Sequence, residues 1–199
     1  MTVLVAYILP HPPLSILQDS ATQLQNRVDN APLLRYVDSL RMHGHRAARI
    51  DPLDLLDRDD VGALDPKRYG LVDSSKSYDV NGILWTKRVG EAPETAEPWT
   101  LRDITNHLHV VYVGRIAYEY MHSSSKTERL WFSHVLEART KPLLLDNSQK
   151  KRIHELLAHS ETFDQFLQLK FPNLKRYGLE GGESMIPALD ALFSTAARG

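Results

Sequence analysis

Hydrophobic residues recur at helical spacing along most of the chain. Steps of three and four residues predict an amphipathic helix near 33–44, and Thr100 begins a capping-box pattern that predicts another near 101–121. The same spacing, with proline and cap signals at the ends, predicts further helices near 127–138, 147–158, 161–170 and 184–196. The sequence shows no series of alternating strands, so the pattern predicts a mainly α fold.

Two stretches lack this periodicity. Residues 1–32 include a proline-broken opening and are predicted to be an irregular N-terminal extension. Residues 72–98 are mostly polar apart from an isolated Ile-Leu-Trp, so we expect a loose, poorly packed connection there. The predicted organisation is therefore an extension (1–32), a helical region (33–172) and a separate C-terminal segment (173–199).

Composition and charge exclude several classes of protein. The 199 residues carry 24 Lys plus Arg against 25 Asp plus Glu, which gives no electrostatic reason to expect nucleic acid or an anionic membrane as a partner. The absence of cysteine excludes disulfides, thiolate nucleophiles and zinc ribbons. The opening 1–17 is too short to span a bilayer, and it lacks the cationic region of a secretory signal.

The nine histidines suggest a metal site at first, but their spacing argues against one. His154 and His159 are five residues apart, whereas two zinc ligands on one helix face need a spacing of four. His43 and His45 flank Gly44 at a predicted helix end, within a basic patch. The patch arginines are Arg41, Arg46 and Arg49. No nucleophile elbow, Walker loop or dinucleotide fingerprint occurs, so the sequence assigns no catalytic or metal-ligating residue.

The richest local chemistry lies ahead of the last predicted helix. Lys175, Arg176 and Tyr177 precede a turn with three glycines, and the open amides of a helix N-terminus attract anions. These three residues are therefore candidates for binding a carboxylate. The alternative is an ordinary glycine-rich turn before a core helix, and the same five letters, KRYGL, also occur at 67–71.

Four segments, in order and spacing, resemble the N-terminal region of a known enzyme family. They are YVDSLRMHGHRAARIDPLDLL, ALDPKRYGL, LRDITNHLHVVYVGRIAYEYMH and FDQFLQLKFPNLKRYGLEGGESMIPALDAL. The family is the thiamine diphosphate-dependent first component of 2-oxoglutarate dehydrogenase. Tyr177 is similar to the relative that acts on 2-oxoadipate, because the 2-oxoglutarate enzymes usually have phenylalanine there. Leu179 follows the 2-oxoglutarate pattern instead, so the resemblance leaves the subtype open.

The resemblance implies oxidative decarboxylation of a 2-oxo dicarboxylic acid on thiamine diphosphate with Mg²⁺. The acyl group would then pass to the lipoyl group of a second component, and the full-length form would be a homodimer. Residues 173–199 would begin an α/β cofactor domain whose catalytic histidine and magnesium motif come after Gly199. We therefore expect an N-terminal fragment that holds no cofactor by itself. Lys175, Arg176 and Tyr177 would be substrate-binding residues, and its cofactor-binding residues are unknown.

Two other functions stay open at the level of sequence. The chain could be a non-enzymatic helical module that binds partner subunits, or, less favoured, a metal-dependent hydrolase that uses its histidines. The family resemblance also implies a location in the mitochondrial matrix in a eukaryote, although no presequence is visible, and in the cytoplasm otherwise.

Overall fold

The structure is a computed structural model and describes residues 19–51, 53–55, 57–58, 60–87, 96–138 and 145–198. Within these residues the chain is mostly helical with one small two-stranded sheet, which confirms the predicted mainly α class. The chain divides into two compact units. Among the described residues these are 19–138, here called the N-terminal unit, and 145–198, the C-terminal unit.

The N-terminal unit contains four helices and the sheet within its described residues. The helices are α1 (Ala21–Asp29), α2 (Ala31–His43), α3 (Leu101–Tyr112) and α4 (Lys126–Glu137). Strands β1 (Ser77–Asp79) and β2 (Pro98–Thr100) pair antiparallel, with Tyr78 opposite Trp99. Short 3-10 helices span Gly44–Ala47, Gly62–Leu64 and Pro66–Tyr69. The C-terminal unit contains α5 (Asn147–Lys170) and α6 (Met185–Ala196).

The core of the N-terminal unit forms between the apolar stripes of α2 and α3. The stripe residues are fully buried, as the three- and four-residue spacing predicts. They are Leu33, Tyr36, Val37, Leu40, Ile104, Leu108 and Tyr112. Among the described residues, no helix combines the length and apolar composition needed to cross a bilayer.

The described part of 1–32 is not irregular, so that prediction is wrong there. Ser20 caps α1, because its hydroxyl accepts from the Gln23 amide while the Gln23 side chain accepts from the Ser20 amide. The helix is held by polar bonds: Asn26 Nδ2 donates to the carbonyls of Asp79 and Asn81. Because α1 buries no residue, hydrophobic spacing could not reveal it. Residues 1–18 lie outside the described residues.

The prediction of poor packing for 72–98 is also wrong for residues 78–84, whereas residues 72–77 are exposed. Tyr78, Val80, Ile83 and Leu84 are all buried in the core. The chain reaches the core through the β1–β2 hairpin and a turn at Gly82, whose φ of 76° suits glycine. The segment after β1 turns into the core over only a few residues, so it shows no hydrophobic periodicity from which its burial could be predicted. Residues 88–95 lie outside the described residues.

Two predicted helix boundaries differ from the structure. The helix predicted near 101–121 ends at Tyr112, because the chain then turns to bury Tyr118 and Tyr120 in the core. The helices predicted near 147–158 and 161–170 form one helix, α5. Residues 145–172 share the C-terminal unit with 173–198, so the division between units does not fall after residue 172. The assignment of 173–199 to a cofactor domain stays a prediction.

Candidate functional site

The three predicted carboxylate-binding residues lie on an open segment between α5 and α6. Lys175, Arg176 and Tyr177 are all exposed, and the Tyr177 side chain is 83% exposed. The Lys175 ammonium lies 5.3 Å from the centre of the Tyr177 ring, so these two side chains contact each other through a cation–π interaction. Arg176 has no ion pair among the described residues. The segment presents two cations and a phenol to solvent, and no described residue buries them.

A carboxylate of the chain already contacts the glycine turn. The Gly181 amide donates to Glu183 Oε1 over 2.9 Å, and Gly181 has the left-handed φ of 81° that the turn requires. Hydrogen bonds from the backbone amides of Glu183 itself and of Gly181 lower the pKa of the Glu183 carboxyl. Ser184 precedes α6 without a side-chain cap. The acidic neighbour therefore occupies amides just ahead of α6, and the first amides of α6, at Met185 and Ile186, donate to backbone carbonyls.

The last helix exposes part of its apolar face. Met185 and Phe193 are 53% and 65% exposed, and Leu189 and Leu192 are half-buried. The sequence analysis gave a buried core helix as the alternative. In the C-terminal unit these residues are only partly buried. Association of the chain through this face stays a prediction.

The N-terminal unit contains a buried charge network that was not among the sites predicted from the sequence. Glu137, 1% exposed, accepts from Arg41 Nε over 2.7 Å and from Arg41 Nη2 over 2.9 Å. The Tyr112 hydroxyl donates to Glu137 Oε1 over 2.7 Å. The Trp85 amide donates to Glu137 Oε2 over 3.0 Å. The carboxylate thus joins α2, α3 and α4 to the segment after β1.

The electrostatics of this network favour its charged form. Burial by itself lowers the pKa of the Arg41 guanidinium, but the charge and hydrogen bonds of Glu137 raise it well above its ordinary value. Burial, followed by the Glu137 charge, raises the pKa of Tyr112 well above its ordinary value. The same causes raise the pKa of Tyr120 to about 12. Both phenols therefore stay protonated and donate near neutral pH.

One buried histidine next to this network has an open acceptor. His134 Nε2 lies 2.7 Å from the Lys87 carbonyl and must donate to it, which leaves Nδ1 as an acceptor with no partner among the described residues. The ring stacks on Trp85 at 4.4 Å between centres. Desolvation by burial lowers the pKa of His134, so it is neutral at pH 7. A cavity of about 30 Å³ adjoins it.

The missed network had a signal in the sequence. Arg41 continues the buried stripe of α2, eight residues after Leu33 and four after Val37, where a solvated charge would be out of place. A charged residue on a buried stripe indicates a buried partner. The sequence suggested that Arg41 belongs to a surface basic patch. That prediction is wrong, because the Arg41 guanidinium is buried and held by Glu137.

The glycine between His43 and His45 has a packing role. A Cβ on Gly44 would lie 2.7 Å from the Cβ of Tyr112, so only glycine lets the turn after α2 meet the end of α3.

Among the described residues, no three His, Cys, Asp or Glu side chains come close enough to hold a metal ion. Nothing in the described part of the chain favours a metal-dependent hydrolase.

Comparison with known proteins identifies one group of relatives. The chain is 30% identical over 167 residues to proteins named 2-oxoglutarate dehydrogenase E1 component from Brucella canis, Brucella suis and Brucella abortus. The alignments cover 82% of this chain and 16% of each relative, so the chain spans about a sixth of their length. No family model matches. The matches confirm the resemblance stated from the motifs and fit an N-terminal region of an E1 component.

Proposed function

We propose that this chain is the N-terminal part of an E1 component that oxidatively decarboxylates 2-oxoglutarate or 2-oxoadipate. The complete enzyme would pass the acyl group to the lipoyl group of a second component and would act as a homodimer. The observation that carries this proposal is the 30% identity along 82% of the chain to proteins named as E1 components. Because the chain covers 16% of those relatives, the reaction belongs to the complete protein.

In the complete enzyme, Lys175, Arg176 and Tyr177 would bind a substrate carboxylate. Two cations beside a phenol match a dicarboxylic acid, since charge-assisted hydrogen bonds are the strong ones. Their exposure supports a site whose walls come from other parts of the complete protein. Thiamine diphosphate and Mg²⁺ would bind to other parts of the complete protein, and the described residues contain no cluster of three or more His, Asp or Glu side chains.

A chimera tests the proposed function. The matching segment of the Brucella suis E1 component is replaced by the corresponding residues of this chain, and 2-oxoglutarate-dependent reduction of ferricyanide is measured. We expect at least about a tenth of the parent kcat/KM, a loss of about 1.4 kcal/mol in transition-state stabilisation. A parent with the segment deleted is the negative control. A chimera that melts cooperatively and binds thiamine diphosphate, yet shows no turnover of either 2-oxo acid, contradicts the proposal.

Tyr177 provides a finer test of substrate preference. In the active chimera, Tyr177→Phe removes one hydroxyl that could donate to the longer acid, a contribution of about 1 kcal/mol. We expect the ratio of kcat/KM for 2-oxoadipate over 2-oxoglutarate to fall about fivefold. Tyr69→Phe, in the other KRYGL sequence, is the matched control and should leave the ratio unchanged. An unchanged ratio in the Tyr177 variant removes this residue from the specificity argument.

A further inference from the structure

Three exposed arginines of the N-terminal unit have no ion-pair partner within the part of the chain that the structure describes. Arg46, Arg49 and Arg115 are exposed, and their guanidinium groups form no ion pair or hydrogen bond among the described residues. The Arg49 amide donates to the Gly114 carbonyl over 2.7 Å, which holds the segments carrying Arg49 and Arg115 side by side. The nearby Asp51 carboxylate accepts from the backbone amides of two following residues instead.

Aliphatic side chains stand next to these arginines. Ile50 follows Arg49 and is 55% exposed, and Ile116 follows Arg115 and is 45% exposed. We call Arg46, Arg49, Ile50, Arg115 and Ile116 the arginine–aliphatic surface. Single exposed isoleucines are ordinary, but here two occur on neighbouring segments beside arginines that form no ion pair with any described residue.

This surface is presented on a rigid support. The 3-10 helix Gly44–Ala47 lies directly against the end of α3, where Gly44 permits the close approach to Tyr112 described above. Ala48, between Arg46 and Arg49 in the first segment, is 3% exposed and anchors that segment. The charge of Arg49 also reaches α3, since burial and then this charge lower the pKa of His109. A preformed surface loses little conformational entropy on binding.

We propose that the arginine–aliphatic surface docks a segment of a partner protein in which carboxylates alternate with aliphatic side chains. Guanidinium groups match carboxylates in charge and in bidentate geometry, and the isoleucines supply apolar contact. A nucleic acid fits less well, because the surface holds no aromatic side chain for base stacking and the chain carries a net charge of −1. This docking goes beyond the proposed decarboxylation, and it uses residues of the N-terminal unit only.

The test is a titration of the isotopically labelled 199-residue chain, followed by amide chemical shifts. The probe is a synthetic 16-residue peptide of alternating Glu and Leu pairs; peptides of Lys with Leu and of Glu with Ser serve as controls. We expect the Glu–Leu peptide to shift the amides of 46–50 and 114–116, and to bind at least about tenfold more tightly than either control. Raising the salt concentration should weaken binding, because exposed charges are screened.

Matched variants distinguish binding at this surface from non-specific binding of the peptide. Removing Arg49 and Arg115 together, as Arg49→Ala with Arg115→Ala, should weaken binding about tenfold, and so should Ile50→Ser with Ile116→Ser. Arg68→Ala, an exposed arginine elsewhere in the same unit, should change affinity less than about twofold. Equal binding of the Lys–Leu peptide, shifts elsewhere on the chain, or an RNA oligonucleotide that binds more tightly would each overturn the proposal. Because the variant side chains are exposed, an unchanged circular dichroism spectrum is expected for all of them.

Discussion

Glu137→Ala is expected to lower the free energy of unfolding of the N-terminal unit by about 3–5 kcal/mol. The substitution leaves the Arg41 guanidinium buried without its main counter-charge, and it removes the acceptor of the Tyr112 hydroxyl and the Trp85 amide. Leaving one buried charge unpaired destabilises the folded state far more than the intact ion pair stabilises it. All three tryptophans, Trp85, Trp99 and Trp131, lie in this unit, so urea unfolding followed by tryptophan fluorescence reports on it directly.

Two further variants test the cause of this loss. Arg58→Ala breaks an ion pair whose Asp54 side chain is 76% exposed, and it should cost less than about 1 kcal/mol. The double variant Arg41→Met with Glu137→Leu replaces the buried pair by apolar side chains and should recover at least about half of the lost stability. If Glu137→Ala costs no more than Arg58→Ala, the network is not what holds these helices together.

The 199-residue chain alone should neither bind thiamine diphosphate nor turn over a 2-oxo acid. This expectation rests on the proposed function, in which the magnesium and diphosphate motif lies in other parts of the complete protein, and the described residues contain no cluster of three or more His, Asp or Glu side chains that could hold a metal ion. The Glu183 carboxylate at the Gly181 amide also adds a negative charge next to the segment where a carboxylate ligand would bind. Lys175, Arg176 and Tyr177 therefore offer weak attraction without enclosure.

Calorimetric titration of the chain with thiamine diphosphate and Mg²⁺ checks this expectation, beside a decarboxylation assay with both 2-oxo acids. The full-length Brucella suis E1 component is the matched positive control. We expect no saturable heat for this chain at cofactor concentrations that saturate the control. Saturable micromolar binding near one cofactor per chain would mean that residues outside the proposed segment, within these 199, form a cofactor site.

The sequence alone predicted the elements that bury an apolar stripe. The stripes of α2 and α3 could be placed because 3.6-residue periodicity and core burial have the same cause, the removal of one helix face from water. The sequence analysis missed α1: the Ser20–Gln23 capping-box spacing is a local start signal, but no buried stripe follows it, and the helix is held by side-chain bonds to Asp79 and Asn81, 53 and 55 residues away. Nor could the sequence analysis predict the burial of Val80, Ile83 and Leu84, since a short connection has no period.

The candidate site divides in the same way. Short sequence motifs were enough to identify Lys175, Arg176 and Tyr177 as candidates and to state the family resemblance, because a motif is a property of neighbouring residues. Only the tertiary structure showed that these three side chains are exposed and that Arg41 and Glu137, 96 residues apart, form the buried charge network. The physical reason is that the burial and pairing of charges depend on which distant segments contact each other. Residue spacing along the chain does not specify those contacts.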